Sequence, residues 1–353
     1  MDSDNITSNQ DATIWLGALN EVTVEAVRTS GCDLDQEGHW MTLRLPRGTS
    51  WPTCANRTDT LLIRPCYEVL LFFIELFTSS SEAGNYVAIT GSYSIGKRSF
   101  LSYLVFHLRS RPTPPRIVLD ISEFFGLINS DGSVEPGVCG GSIEALGERD
   151  TYYLCDATTS APSLDLSRGS LRAKIVVVTS PLTNRTIDLE IHRECCTAIM
   201  PVWSFDELHW CCRLCHPAVS PMELTQRYEM WGGLIRWVVV ETLAASKAQF
   251  MKSIEAVSLT QVIEAVRNEG YIEREEDATE GHWLIQLNCE TDGSLQFRDA
   301  VLCSDLVARH LLAREKDKEA LSSVIKEHSS DPLLQPLLDQ IKRAASFQEC
   351  TMM

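Results

Sequence analysis

Positive charge is scarce in this 353-residue chain. Lys and Arg number 31 against 48 Asp and Glu, which leaves a net charge of −17. That balance opposes a broad basic face tracking a nucleic-acid backbone, while leaving room for a local patch. Long apolar runs are missing too. The most apolar stretch, Val69 to Phe77, is too short to cross a bilayer and holds Glu75, so it predicts a core helix. The first residues, Met1 to Asn5, have neither the basic nor the apolar region of a secretory leader. No internal repeat is visible. What remains is a chain with 44 % hydrophobic and 22 % charged residues, long enough for two domains and a substantial core.

Cysteine is not scarce, but its 13 copies do not describe a disulfide scaffold, and an odd count leaves at least one thiol unpaired. Most read as reduced, buried thiols. One group invites a metal reading: His192, Cys195, Cys196, His209, Cys211, Cys212, Cys215 and His216, with Cys212-x-x-Cys215 at zinc-knuckle spacing. The Cys-Cys doublets break regular ligand spacing, which favours small apolar residues flanking a buried strand over Ala198 to Val202. The sequons at Asn5, Asn56 and Asn184 matter only in a secretory lumen.

The most informative stretch is Tyr86 to Phe100. A short apolar run, Tyr86 to Thr90, predicts a strand. A turn follows with Gly91, Ser92, Ile95 and Gly96, then Lys97, Arg98 and Ser99. Apolar residues at Phe100, Leu101, Leu104, Val105 and Leu108 then have helical spacing. Strand, glycine loop and helix in that order is the context of a phosphate-binding loop. Glycines let backbone amides crowd a polyphosphate, the helix N-terminus adds positive potential, and Lys97 neutralises the outer phosphates. The pattern calls for Ser or Thr after the lysine, where a hydroxyl helps hold Mg²⁺. Here that position is Arg98. Ser99 comes one residue late, turned by about 100° on a helix, and does not replace the missing hydroxyl directly. The expected cofactors are ATP and Mg²⁺, with the metal weakened by Arg98. The bland alternative is a glycine-rich turn that binds nothing.

Other elements fit a nucleotide core. Tyr152 to Asp156 is an apolar strand ending in an acid that would face Mg²⁺, usually through water, so Asp156 is both the candidate metal residue and a candidate catalytic one. Ala157 follows it, where many ATPases place a glutamate that polarises water. Lys174 to Ser180 puts hydroxyls at a strand end, where ligands gather in open α/β sheets. They would sense a terminal phosphate or cap the loop. Arg236, after Gly232 and Gly233, is the second candidate catalytic residue. It would reach the phosphates from a lid or pair with a carboxylate. Ser204 to Glu207 predicts a helix-opening capping box.

The predicted fold class is α/β: a P-loop NTPase core with a mainly parallel sheet, followed by a mostly helical lid region. Strands are expected over Arg116–Ile121, Tyr152–Cys155, Lys174–Thr179 and Ile199–Trp203, with a hairpin turn at Ser130 to Ser133 and short strands near 282–288 and 295–302. Domains divide as 1–60, an extension; 61–220, the core; and 221–353, a lid and C-terminal region. The tail from Ala344 is expected to fray.

Leu62-Ile-Arg-Pro-Cys-Tyr67, the glycine loop, Tyr152 to Asp156, Val178-Thr-Ser-Pro181, Met200-Pro-Val-Trp-Ser-Phe-Asp-Glu-Leu208 and Arg227-Tyr-Glu-Met-Trp-Gly-Gly-Leu-Ile-Arg236 follow in a specific order. From about Trp51 to Leu312 this resembles the NTPase module of Crinkler effectors and the related retrotransposon hot spot proteins. The resemblance implies a P-loop ATPase fold, secretion by a eukaryotic pathogen, and action inside host cells, in nucleus or cytoplasm, on host protein targets. The loop departs from the family form at Ser94, often Gly, and at Arg98, often Ser. The ubiquitin-like header is not evident in residues 1–50, and no nuclease domain is evident after the module. Two readings stay open: an ATP-binding module with slow ATPase activity, and a degenerate, non-hydrolysing relative acting as a binding module. Neither a broad nucleic-acid face nor a membrane partner is expected.

Overall fold

The computed structural model describes residues 14–15, 17–28, 39–51, 58–79, 85–121, 124–137, 144–158, 171–180, 195–267, 281–290, 292–315, 323 and 325–351. The chain forms two compact units. The first takes residues 1–89, 96–179 and 183–198; the second takes 90–95, 180–182 and 199–353.

The first unit contains a three-stranded sheet. β1 (Thr23–Arg28), β2 (His39–Arg44) and β3 (Thr60–Ile63) form an antiparallel sheet in that order. Helix α1 (Pro65–Ser79) opens on a proline, whose missing N–H is harmless in a first turn. It buries Tyr67, Leu70 and Ile74 at spacings of three and four.

A seven-stranded sheet organises the rest of this unit. It comprises β4 (Tyr86–Thr90), β5 (Ile117–Ile121), β6 (Phe124–Ile128), β7 (Val134–Pro136), β8 (Tyr152–Asp156), β9 (Lys174–Val178) and β10 (Cys195–Ile199), in the order β10-β4-β9-β8-β5-β6-β7. Only Thr90 and Ile199 at its margin count with the second unit. β4, β9, β8 and β5 run parallel; β6 and β7 return antiparallel through the turn expected at Ser130 to Ser133. All five residues of β4, β5 and β8 are buried. That is why these strands read as continuous apolar runs rather than alternating ones: both faces are covered. The sheet is thus mostly parallel, as expected.

The expected strand over Ile199–Trp203 lies earlier, at Cys195–Ile199. Pro201 cannot donate to a ladder, and the mixed pattern before it concealed the true strand.

In the second unit, α3 (Phe205–Cys215), α4 (Pro221–Trp231), a π-helical turn (Arg236–Val240), α5 (Leu243–Glu255) and α6 (Leu259–Arg267) precede the hairpin β11 (Ile285–Cys289) and β12 (Phe297–Leu302). The capping box expected at Ser204 opens α3, with reciprocal Ser204 and Glu207 bonds. α7 (Asp305–Arg314) and α8 (Gln335–Thr351) follow. The tail does not fray at Ala344. Helix α8 buries Leu337, Leu338, Ile341 and Ala344, and Gln340 bonds both the N–H and the carbonyl of Leu302.

Candidate functional site: the glycine loop and its charged neighbours

The sheet order creates a topological switch point. From β4 the chain leaves toward β5, three places along on one side. From the adjacent β9 it leaves toward β10, on the other side of β4. Loops that part in this way open a crevice at the carboxyl ends of the strands, the usual ligand position in open α/β sheets. The glycine loop and Asp156 both lie at such strand ends.

Helix α2 (Lys97–Arg109) starts immediately after Gly96, which stands at φ 89°. Only glycine adopts that conformation freely, so Gly96 sets the angle at which the helix begins. The first intrahelical bond runs from the Phe100 N–H to the Gly96 carbonyl. The amides of Lys97, Arg98 and Ser99 therefore precede it, in the positive end of the helix dipole.

Ser94 also stands in the left-handed region, at φ 59°. A residue with a Cβ is disfavoured there by about 1–2 kcal/mol. We expect Ser94→Gly to stabilise the protein by about 1 kcal/mol, after glycine's larger unfolded-state entropy is subtracted. A thermal melt checks this, and a lowered Tm refutes it.

The first half of the loop, Thr90–Ile95, is gripped within the second unit. The Met200 N–H donates to the Thr90 carbonyl at 2.8 Å, and a Cβ on Gly91 would lie 2.7 Å from the Met200 carbonyl. Ser92 Oγ accepts from the Leu287 N–H at 2.8 Å. The Ile95 carbonyl accepts from Trp203 Nε1 at 2.7 Å, and the Arg236 N–H reaches the Ser94 carbonyl at 3.4 Å. The Tyr93 hydroxyl donates to Ser180 Oγ at 3.3 Å. Candidate residues Ser92 and Ile95 are thus buried scaffold positions. Trp203 and Leu287 were missed as loop supports; the nearest signal was the Met-Pro-Val-Trp stretch, read only as a family mark.

The charged residues Lys97, Arg98 and Asp156 all lie in the first unit. Lys97 is buried, and burial pushes its ammonium down to about 7 against the opposing pull of Asp156. Arg98 Nε forms an ion pair with Asp156 Oδ2, and the Asp156 side chain has no exposed surface. Among the described residues no donor is aligned on this oxygen for a hydrogen bond, so charge ties the pair. Asp156 Oδ1 accepts twice from Thr158: from its N–H at 3.0 Å and its hydroxyl at 2.6 Å. Ser99 is half-buried on the first turn of α2, and Ala157 is wholly buried. With one carboxylate oxygen doubly bonded and a guanidinium on the other, Asp156 does not fit a directly bound divalent ion.

Arg236, in the second unit, opens the π-helical turn. It pairs with Glu241 at 3.2 Å, lies over the Trp237 ring at 5.4 Å, and stays half exposed. Buried Arg227 fixes the end of that turn by donating to the carbonyls of Val238 and Glu241. Of the two fates weighed for Arg236, carboxylate pairing is the one seen here.

A third acid, Asp120 on β5, went unread in the sequence. Its Oδ2 accepts from the Tyr153 hydroxyl at 2.5 Å and meets the Cys155 thiol at 3.8 Å. Alternation along β8 puts this group on the sheet face opposite Asp156. Burial pushes both the Tyr153 hydroxyl and the Cys155 thiol strongly upward, so each stays protonated.

In the cysteine-rich segment, Cys211 and Cys212 are buried in α3, and burial pushes the Cys212 thiol up to about 12. His192 lies outside the described residues. Among those described, no three His, Cys, Asp or Glu side chains are grouped to hold a metal. No helix among them is long and apolar enough to cross a membrane.

Compared with known proteins, the chain matches no family model and no curated protein.

Proposed function

We propose that this chain is a nucleotide-binding module that takes the phosphates of ATP at the start of helix α2, with hydrolysis slow or absent. One observation carries the reading. A buried lysine whose ammonium is destabilised by its surroundings sits on the first turn of a helix, after a left-handed glycine, at the switch point of a mostly parallel sheet. An anion arriving beside a buried cation at a helix N-terminus is attracted by both the side chain and the helix dipole. The binding-only form is favoured over turnover by wholly buried Ala157, which offers no carboxylate to polarise water, and by the Arg98–Asp156 pair. Phosphoryl transfer needs a positioned nucleophile as well as charge neutralisation. In keeping with the Crinkler resemblance, the module acts as a secreted pathogen effector inside host cells, in nucleus or cytoplasm.

Calorimetric titration with ATP tests the reading. Lys97→Ala should lose about 1.5–3 kcal/mol of binding, the scale of a charge-assisted hydrogen bond. Equal binding by parent and variant, or none by either, refutes the loop as a nucleotide site.

A further inference from the structure

We propose that Arg98 is a tethered cation standing where a divalent metal would otherwise sit, so that this site takes its polyphosphate metal-free and Asp156 holds no ion. The inference rests on the nucleotide reading above and deepens it. In a Mg²⁺-using loop, the residue after the lysine brings a hydroxyl to the metal, and a strand-end acid faces the same ion. Here those two positions engage each other: Arg98 Nε lies on Asp156 Oδ2.

Three features keep a metal out. Thr158 holds the other carboxylate oxygen through two donors, so moving the acid toward an ion breaks two hydrogen bonds. The Asp156 side chain has no exposed surface, whereas Mg²⁺ usually keeps several of its waters and needs room for them. Finally, a guanidinium cannot lose its proton to make way, so the incoming ion would meet a permanent positive charge.

The same features suit a phosphate. The Arg98 side chain is 28 % exposed, so the guanidinium is not wholly enclosed as its partner is. A planar guanidinium matches phosphate oxygens well. Lys97 is its neighbour on the first helical turn. The two side chains together offset charge that Mg²⁺ would carry in with the nucleotide.

The test is ATP binding by the full chain in excess Mg²⁺ and in excess EDTA, with Mn²⁺ titration of the nucleotide-free protein by paramagnetic resonance. The parent should bind ATP with dissociation constants within about threefold of each other in the two buffers, less than half a decade of affinity. It should take up no Mn²⁺. Arg98→Ser should weaken binding in EDTA by about tenfold and recover with Mg²⁺. Arg98→Lys keeps the charge and should stay insensitive to metal, which covers the case in which Arg98→Ser fails to fold. Parent binding that is about tenfold or more tighter with Mg²⁺ overturns the proposal, as does stoichiometric Mn²⁺ uptake. An absence of ATP binding in both buffers is a different pattern; it overturns the nucleotide reading and takes this inference with it.

Discussion

Arg98→Met should lower the stability of the protein by about 3 kcal/mol, the lower end of the range for breaking a buried ion pair. The carboxylate left behind has no exposed surface, so water cannot replace the guanidinium. The two Thr158 donors and the positive charge of Lys97 offset part of the loss, which is why the expected figure is not higher. The double variant Arg98→Met with Asp156→Asn should regain most of it, since no uncompensated charge is then buried. Denaturant unfolding of the parent, both single variants and the double variant closes the cycle. A loss below about 1 kcal/mol would place the pair with ordinary surface ion pairs and remove its claim to a special position.

Lys97→Met should weaken ATP binding by about 1.5–3 kcal/mol and at the same time raise the stability of the free protein by about 0.5–2 kcal/mol at pH 7. These opposite signs distinguish a functional lysine from a structural one. The folded chain holds the Lys97 ammonium at about 7, against 10.5 for an unburied lysine. Between those pH values the unfolded chain carries a proton that the folded chain does not. This group's contribution to stability therefore rises with pH from about 7 to about 10.5, and its burial penalty is felt in full below that window. Parent and Lys97→Met melts should thus differ most at pH 6 and converge by pH 10. Binding has the reverse slope: above pH 7 an anion must bring a proton to Lys97, so parent affinity falls as pH rises. Proton uptake is measured by calorimetry in buffers of different ionisation heat. A variant less stable than the parent at pH 6 would show Lys97 to be a packing residue.

The parallel sheet was legible because its strands are buried on both faces and leave uninterrupted apolar runs, such as Ile175 to Val178. The helix starts were equally legible where a side chain caps them, as at Ser204. β1 and β2 were not, since each mixes polar and apolar residues and shows no clean strand period. At the site, the motif located Lys97 and flagged Arg98 as misplaced. It could not show that Arg98 and Asp156 meet, because 58 positions separate them and the β4–β9 and β8–β9 pairings bring their strand ends together. Ser92 and Ile95 matched the motif by position, yet their contacts belong to scaffold bonds with Leu287 and Trp203. Motif spacing encodes backbone geometry well and side-chain commitments poorly.

The far margin of the seven-stranded sheet has a bearing on how this protein behaves at high concentration. β7 is only three residues long, carries Glu135, and stops at a proline. A neighbouring chain seeking to zip onto that margin would find little ladder, a charge, and a missing donor. Continuous growth of the sheet into fibres is thus blocked on this flank, and the long buried strands behind it can stay apolar without seeding aggregation from that side.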